Sequence, residues 1–402
     1  MGGLEGNSIT QTLILCHNFV ISNLDQISKE QKSVLAAYID LERGFQKIDH
    51  SQILIRLSDW DLPTWMCKVV ASYLSGRTMR VNYKGAQSSP YHLPGSLSQG
   101  DELAVILFLV AVSDACLPPA PPLPLHPGDV SSCLPPLPPP VTQDELRLKW
   151  IDDITNAEVI DLKSCLEKKP LFIGPNNFYE QNGLYLPPNR SKVQMRLNEL
   201  QTFTENSKMR INIHKTKLQC FTFSRKFSYM PQLTIKDKVL EVVYSTRLLG
   251  IIFSSNCRWD DHVNFIVQKA NQKIWTLRRL KSQGASIPTL VELYKLFVRQ
   301  GLEFAAPLWT FGLTQKNKAD IERVQRNITN LILGKNSLSY EERLRDLQLT
   351  NLDSRRTILA RSCSDKMVKD ERFNYLFPQK QVTATRSRDL YTTTLPHEKA
   401  KE

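Results

Sequence analysis

The fold is decided by the stretch Lys149-Trp150-Ile151-Asp152-Asp153-Ile154-Thr155, in which two adjacent carboxylates lie between apolar flanks. Upstream, residues 146–150 alternate between apolar and basic side chains, which is the period of a strand with one buried face. Downstream, two β-branched residues favour a second strand. We therefore predict a β-hairpin with the acidic pair at its tip, where rigidly held carboxylates can bind a cation. Because most acidic pairs in turns are simply solvated, this interpretation depends on a third carboxylate nearby.

Asp40 is the candidate for that third carboxylate. It follows a continuous apolar run at residues 34–39, which is short enough to be a buried strand, and it precedes a helical pattern that contains Ile53, Leu54 and Leu57. A strand end fixes a carboxylate in space, and a helix start tolerates negative charge nearby. The alternative is an aspartate that only caps a helix or closes a turn.

A flexible polar loop at residues 94–102 leads into an apolar segment, residues 103–112, that we predict to be a helix. A glycine-containing turn at a helix start exposes backbone N–H groups to an anion. The remaining pattern predicts helices at residues 8–25, 64–76, 193–206 and 259–335, strands at 77–83, 91–93 and 247–253, and irregular structure at 160–195. The last helical region is broken at Gly284 and Pro288.

The chain has 402 residues, enough for two or three domains, and a formal net charge of +12. This charge favours a polyanionic partner, either nucleic acid or an anionic membrane surface, although a merely basic protein is the alternative. The eight cysteines lack CxxC spacing, and no apolar run approaches the ~20 residues that cross a bilayer. We therefore expect no zinc site, no membrane span, and a protein with reduced thiols in the cytosol or nucleus.

Two further segments are candidates for binding. Between His262 and Val291 there is no acidic residue, and the basic residues there are a candidate surface for phosphates: Lys269, Lys273, Arg278, Arg279 and Lys281. The alternative is a solvated helix face. Residues 117–140 are proline-rich and typical of a polyproline II segment, which is either a ligand for a proline-recognition domain or a surface insertion.

Five ordered motifs resemble those in the palm of reverse transcriptases from non-LTR (LINE-like) retrotransposons. Residues 38–50 resemble the first palm motif, with Asp40 and a downstream aromatic and histidine. Residues 95–108 resemble the Gly-x-Pro-Gln-Gly-Ser loop and its apolar helix, and residues 150–153 resemble aromatic-x-Asp-Asp. Residues 209–217 are similar to Met-x-Leu-Asn-x-x-Lys-Thr, and residues 247–262 to Leu-Gly…Trp-x-x-His.

The resemblance implies an α+β fold, a right-hand polymerase palm with an antiparallel sheet and helices, followed by a helical thumb. Partial fingers and palm would occupy residues 1–258, with the proline-rich insertion at 117–140. The thumb and connection region would occupy residues 259–377, and a polar, disordered tail residues 378–402. The implied activity is that of an RNA-directed DNA polymerase acting on an RNA template, a DNA primer and deoxynucleoside triphosphates.

The chemistry of nucleotidyl transfer accounts for the acidic residues in these motifs. It uses two Mg²⁺ ions roughly 3.5–4 Å apart, and Mg²⁺ prefers oxygen ligands. The resemblance implies that Asp40 and Asp152 bridge the two ions, with support from Asp153. Lys215 matches a lysine proposed to protonate the pyrophosphate.

Other motif positions imply contacts with nucleotide and primer. Phe45 matches the aromatic residue that blocks a ribose 2′-hydroxyl, although a core phenylalanine is the alternative. Gln99 and Gly100 match the loop that contacts the incoming nucleotide and the template. Leu249 and Gly250 would lie at the primer grip.

The chain also departs from the family pattern. Gly44-Phe45-Gln46 replaces the usual Ala-Phe-Asp, and Ser98 and Asp101 replace the proline and serine of the loop. Asp101 and Glu102 add two negative charges where a triphosphate would bind, which repels it. The chain starts just before the first palm motif, so we expect the upstream fingers to be absent and the chain alone to be a poor polymerase. The alternatives are a non-catalytic remnant that binds nucleic acid and a proline-rich interaction protein.

Overall fold

The computed structural model describes residues 8–25, 32–42, 44–93, 95–98, 101–113, 115, 145–150, 153–161, 167–170, 182–186, 188–223, 229–334, 338–370, 373 and 376. The chain divides into two compact units, residues 1–258 and residues 259–402. The proline-rich segment and the polar tail lie outside the described residues, so the predictions about them stay predictions.

The first unit contains both helices and strands. Its helices are α1 (Ile9–Asp25), α2 (His50–Asp59), α3 (Thr64–Leu74), α4 (Glu102–Ala111) and α5 (Lys192–Asn206), with 3-10 turns at Gly44–Gln46 and Pro188–Arg190. Its strands are β1 (Lys32–Ile39), β2 (Thr78–Met79), β3 (Asn82–Tyr83), β4 (Ala86–Gln87), β5 (Tyr91–His92), β6 (Glu145–Trp150), β7 (Asp153–Asp161), β8 (Glu167–Pro170), β9 (Asn182–Leu186), β10 (Lys217–Phe221), β11 (Tyr229–Pro231), β12 (Thr234–Ile235), β13 (Lys238–Val239), β14 (Glu241–Val242), β15 (Ser245–Leu248) and β16 (Ile251–Ser254).

A five-stranded sheet in the order β14-β10-β1-β7-β6 organises this unit. Its central strand, β1, pairs antiparallel with both β10 and β7, and β7 pairs antiparallel with β6. Seven of the eight residues of β1 are buried, because alternate side chains point to opposite faces and helices pack against both of them. Leu35, Ala37 and Ile39 join a core with Ile53 of α2 and Phe108 of α4. The apolar run at residues 34–39 is therefore a central strand, as predicted.

The second unit is helical in its described residues. It contains α6 (Asp260–Ser282), α7 (Ile287–Leu293), a π-helix (Tyr294–Arg299), α8 (Gln300–Glu303), α9 (Ala306–Trp309), a 3-10 turn (Thr310–Gly312), α10 (Gln315–Leu333), α11 (Tyr340–Asp346) and α12 (Leu352–Val368). Pro288 lies at the start of α7, where its missing N–H costs no helical hydrogen bond. The predicted α+β class is confirmed.

Two local predictions were wrong. Residues 160–195 are not irregular throughout, since the end of β7 and the strands β8 and β9 lie there; the charged sequence of β8 hides its period. Residues 247–253 are not one strand, because the chain turns back at Leu249 and Gly250 to form the β15–β16 hairpin.

Two predictions concern features that the chain is expected to lack, a membrane-spanning helix and disulfide bonds. None of the helices described is long and apolar enough to cross a membrane. No disulfide joins the cysteines whose positions are described, Cys16, Cys67, Cys220, Cys257 and Cys363.

Candidate active site

The sheet brings Asp40 next to the Asp153 end of the predicted acidic hairpin. Ile39, the last residue of β1, pairs with Ile154 of β7. Asp40 follows Ile39 and Asp153 precedes Ile154, so the two aspartates occupy the next positions on adjacent strands. Trp150 pairs with Asp153, which confirms that β6 and β7 form a hairpin. Asp152 itself and the side chain of Asp153 lie outside what the structure describes.

Lys215 is held against Asp40 by the segment that follows α5. Asn212 donates its backbone N–H to the carbonyl of Asp40 at 2.8 Å. An antiparallel bridge between Leu41 and Ile211 holds the same two segments of the chain side by side. Asn212 then accepts from the N–H of Lys215 through its side-chain Oδ1 at 3.2 Å, which closes a tight turn. The turn brings Lys215 Nζ to 3.6 Å from Asp40 Oδ2. A carboxylate and an ammonium group that the sequence separates widely therefore meet at the end of β1.

Hydrogen bonds join two motifs that are distant in sequence, residues 38–50 and residues 95–108. Leu97 donates its N–H to the carbonyl of Phe45 at 2.7 Å, and His50 Nε2 donates to the carbonyl of Ser96 at 2.9 Å. A Cβ atom on Gly95 would lie 2.9 Å from the carbonyl oxygen of Ile48, which is too close for any other residue without a backbone shift. The first palm-like motif therefore fixes the start of the loop that leads to residues 99 and 100.

Phe45 lies in the 3-10 turn after Asp40 and is half-buried. Its ring stacks on Phe108 of α4 with centroids 4.3 Å apart and planes 7° from parallel. A Cβ atom on Gly44 would lie 3.0 Å from the Phe108 ring, so any larger residue there would have to displace that ring slightly. One ring face is thus used for packing, and the predicted contact of Phe45 with a ribose stays a prediction.

Asp101 has a structural role that the sequence did not reveal. Its carboxylate caps α4 by accepting from the N–H of Leu103 at 3.0 Å, as the more usual serine would. It also accepts a hydrogen bond from the hydroxyl of Tyr73, which lowers the pKa of Asp101, with the Arg77 guanidinium acting in the same direction. The negative charge of Asp101 is therefore stabilised by these groups. Glu102 lies in the first turn of α4, where the helix dipole favours a carboxylate.

Leu249 and Gly250 form the tip of the β15–β16 hairpin. Leu248 pairs with Ile251, so the turn has only these two residues, with φ of 47° and 90°. Positive φ at both positions is typical of a type I′ turn, which usually contains asparagine, aspartate or glycine. A leucine held in the left-handed region costs of order 1 kcal/mol or more. Its presence at the predicted primer grip is consistent with a need for that side chain, and the grip itself stays a prediction.

The five predicted phosphate contacts lie on α6 but do not share one face. A helix advances about 100° per residue, so Lys269 and Lys273 lie on a different side from Arg278 and Arg279. Lys273 Nζ donates to the carbonyl of Phe297 at 2.5 Å, and Lys281 Nζ donates to the carbonyl of Leu331 at 2.6 Å. Lys273 and Lys281 thus stabilise the helical unit through these hydrogen bonds, and Lys273 is exposed like Lys269, Arg278 and Arg279.

The Trp-x-x-His part of the last motif is packed inside the second unit. The ring of His262 is buried and makes edge contacts with Trp259 and Trp309, with centroids 6.2 Å and 5.5 Å away. Burial lowers the pKa of His262 to about 4, so it is neutral at physiological pH. A Cβ atom on Gly312 would lie 2.7 Å from Trp259 Nε1. This motif therefore marks a packing centre.

The predicted metal site is described only in part. Among the side chains that the structure places, no group of three histidine, cysteine, aspartate or glutamate residues could hold a metal ion. Gln99 and Gly100 also lie outside the described residues, although both neighbours, Ser98 and Asp101, are described. Sequence reasoning missed Asn212, His50 and Gly95 as positioning residues; their occurrence inside the matched motifs was the available signal.

Comparison with known proteins supports the resemblance. The chain is similar to the RNA-directed DNA polymerase from the mobile element jockey of Drosophila melanogaster, with 22% identity over 311 residues. The alignment covers 77% of this chain and 29% of the Drosophila protein, so the chain spans less than a third of that relative. The predicted likeness to a non-LTR retrotransposon reverse transcriptase is confirmed. No family model matches the chain.

Two solved structures show a distant likeness. One is telomerase from Candida tropicalis in complex with a fragment of telomeric RNA, with a TM-score of 0.40 and 11% identity, covering 92% of this chain and 47% of that one. The other is telomerase from Candida albicans with the same kind of RNA fragment, with a TM-score of 0.33 and 9% identity, covering 86% and 54%. Both TM-scores are below 0.5, so neither likeness bears on the function.

Proposed function

We propose that this chain contains the polymerase site of a retrotransposon reverse transcriptase, which extends a DNA primer on an RNA template. The observation that carries the proposal is the convergence of motif residues at the end of β1. Asp40, the start of β7 and Lys215 meet there although most of the first unit separates them in sequence. The sequence similarity to a mobile-element polymerase supports the same assignment.

The acidic residues assigned to this position are of the kind that binds divalent cations, which reverse transcriptases generally use. The carboxylate of Asp40 is partly exposed at a rigid strand end, and Asp153 occupies the adjacent position on β7. Carboxylate oxygens are the ligands that Mg²⁺ prefers, and a few of them suffice because the ion keeps water and substrate phosphates as its other ligands. Asp40, Asp152 and Asp153 would hold the metal, which when bound stabilises charge on the attacking and leaving oxygens.

Lys215 has the position and exposure of a proton donor to a leaving group. Its side chain is 70% exposed beside Asp40, and the Asn212 turn restrains its backbone. An ammonium group placed at developing negative charge stabilises it by electrostatics and can then donate its proton. We therefore assign Lys215 to the departing pyrophosphate, and Asp40 orients the lysine until substrate arrives.

The test is extension of a labelled DNA primer on an RNA template by the purified chain with Mg²⁺ and all four deoxynucleoside triphosphates. We expect slow, template-dependent extension that a chelator abolishes. Lys215→Ala should slow extension about 100-fold with little change in the nucleotide KM, and Lys215→Arg should restore only part of it. Lys238→Ala, which removes an exposed lysine of β13 in the same unit, is the control.

The main rival is a chain that keeps the fold and binds nucleic acid without catalysis. If that hypothesis is right, the chain binds a primer–template duplex but shows no primer extension at any Mg²⁺ concentration. Extension that is insensitive to Lys215→Ala would reject the proposed role of that lysine and leave the polymerase assignment intact.

A further inference from the structure

An exposed hairpin, residues 77–93, lies in the sequence between the motifs at residues 38–50 and 95–108. It has no role in the site described above. At its base the Leu93 N–H donates to the Arg77 carbonyl at 2.9 Å. Within it β2 pairs with β5 and β3 with β4, and the turn is Lys84-Gly85, both with positive φ. Every residue from 78 to 92 is exposed. A two-stranded ribbon exposed on both faces is marginal by itself, which points to an external partner.

This hairpin exposes apolar and basic side chains close together. Met79 and Tyr91 are directly paired and share one face of the β2–β5 ladder, and Tyr83 lies in the β3–β4 ladder. Arg80 and Val81 lie between the two ladders. The side chains of Met79, Val81, Tyr83 and Tyr91 are 50%, 59%, 70% and 65% exposed. Large apolar groups so exposed within one short hairpin mark an interaction site.

Charge identifies the kind of partner. From residue 62 to residue 100 the chain contains no aspartate or glutamate, while Lys68, Arg77, Arg80 and Lys84 all lie within that stretch. The Lys84 ammonium lies 5.5 Å from the centre of the Tyr83 ring, so a cation and an aromatic face are presented together. A second copy of the chain would bring like charges together, whereas a polyanion would neutralise them.

Aromatic faces interleaved with basic side chains suit single-stranded nucleic acid. Its unstacked bases can lie on tyrosine rings while lysine and arginine contact the phosphates. A duplex hides its base faces, so it would leave the tyrosines without partners. We propose that the 77–93 hairpin binds single-stranded nucleic acid through Tyr83 and Tyr91, with Lys84 and Arg80 on the backbone.

The base of the hairpin is linked to the candidate active site. Arg77 donates a hydrogen bond to Ser98 Oγ, and its guanidinium lies 4.9 Å above the ring of Tyr73. The Tyr73 hydroxyl in turn donates to Asp101. These contacts attach the hairpin to Ser98 and Asp101, the residues on either side of positions 99 and 100 in the sequence. This attachment suits a contact between the hairpin and the unpaired template. In this respect the inference rests on the proposed function.

The test measures binding without chemistry, by fluorescence anisotropy of a labelled oligouridine with the full chain and no nucleotide or Mg²⁺. Tyr83→Ala combined with Tyr91→Ala should weaken binding at least about tenfold, because each base stack that is removed is costly. The corresponding pair of phenylalanine substitutions should keep the affinity within about twofold, since the ring faces remain. Lys84→Ala should flatten the log–log salt slope by about 0.7.

The matched control is Trp60→Ala. Trp60 is 48% exposed but lies between Asp59 and Asp61, where a polyanion is repelled, so its removal should leave the affinity unchanged. All the substituted residues are exposed, and the melting temperature should confirm that every variant folds.

Equal affinity of the double alanine variant and the unchanged chain would overturn the proposal. The proposal would also be overturned if the unchanged chain sedimented as a dimer and the double alanine variant as a monomer with the same affinity for RNA. The tyrosines would then form an interface between copies of the chain. A chain that extends a primer but binds RNA independently of the tyrosines refutes only this inference. A chain that binds through the tyrosines but extends nothing refutes only the polymerase assignment.

Discussion

At the residue scale, Asp101 shows how one side chain can change meaning between sequence and structure. From the sequence it is a negative charge that repels a triphosphate. In the structure it caps α4, accepts a hydrogen bond from Tyr73 and lies near Arg77, which partly neutralises it. The repulsion should therefore be smaller than an isolated carboxylate would exert.

Asp101→Asn should lower the nucleotide KM in primer extension by a factor of about two to ten, because asparagine also caps a helix but carries no charge. Asp61→Asn is the control, since Asp61 is an exposed aspartate outside the candidate site and asparagine tolerates its φ of 51°. An unchanged KM in the Asp101 variant would show that this carboxylate does not oppose nucleotide binding.

At the scale of elements, Glu158 attaches α5 to the central sheet. Its buried carboxylate on β7 accepts from the hydroxyl of Ser191 and from the N–H of Lys192, the latter at 2.7 Å. Burial raises the pKa of Glu158 in spite of these hydrogen bonds. The folded state therefore keeps a proton that the unfolded chain has already released.

Because the folded pKa is the higher one, Glu158 contributes most to stability below about pH 4.5, the value of an ordinary glutamate. Its contribution falls as the pH rises from there through the raised pKa. The free energy of unfolding of the unchanged chain, minus that of Glu158→Gln, should fall across this window and then level off. Urea titrations at a series of pH values measure this difference, and a difference that rises with pH would contradict the assignment.

Sequence patterns predicted the long elements, because the periodicity of buried strands and helices is a local signal. The proximity of Asp40 to the acidic hairpin was predicted from the resemblance of their motifs to those of a polymerase palm, since no local pattern links residues so far apart. They did not predict the β15–β16 turn, since Leu249 lies inside an apolar run and adopts a conformation unusual for leucine. The contact between His50 and Ser96 was equally hidden, because it joins residues far apart in the chain. The polar strand β8 lacks any alternation from which pairing could be inferred.

At the scale of the whole molecule, the basic charge should show in binding of a primer–template duplex. Replacing Lys269, Arg278 and Arg279 with alanine should reduce the log–log salt slope by roughly 0.9 for each phosphate that these side chains no longer neutralise. Lys281→Ala is the contrasting variant. Because Lys281 donates to the Leu331 carbonyl, its removal should cost about 1 kcal/mol of stability and alter the slope less. An unchanged slope in the triple variant would show that this helix is only solvated.

The central claim is that Asp40 and Asp152 act together on the same metal ions. The most direct measurement is a double-mutant cycle on primer extension with Asp40→Asn, Asp152→Asn and the combined variant, with Asp61→Asn as the control. Each single variant should fall at least about 100-fold in rate, and the combined variant should be little worse than either, because residues that act as a unit are not additive. Rate reductions that multiply, or an Asp40→Asn variant as active as the control, would contradict the shared site.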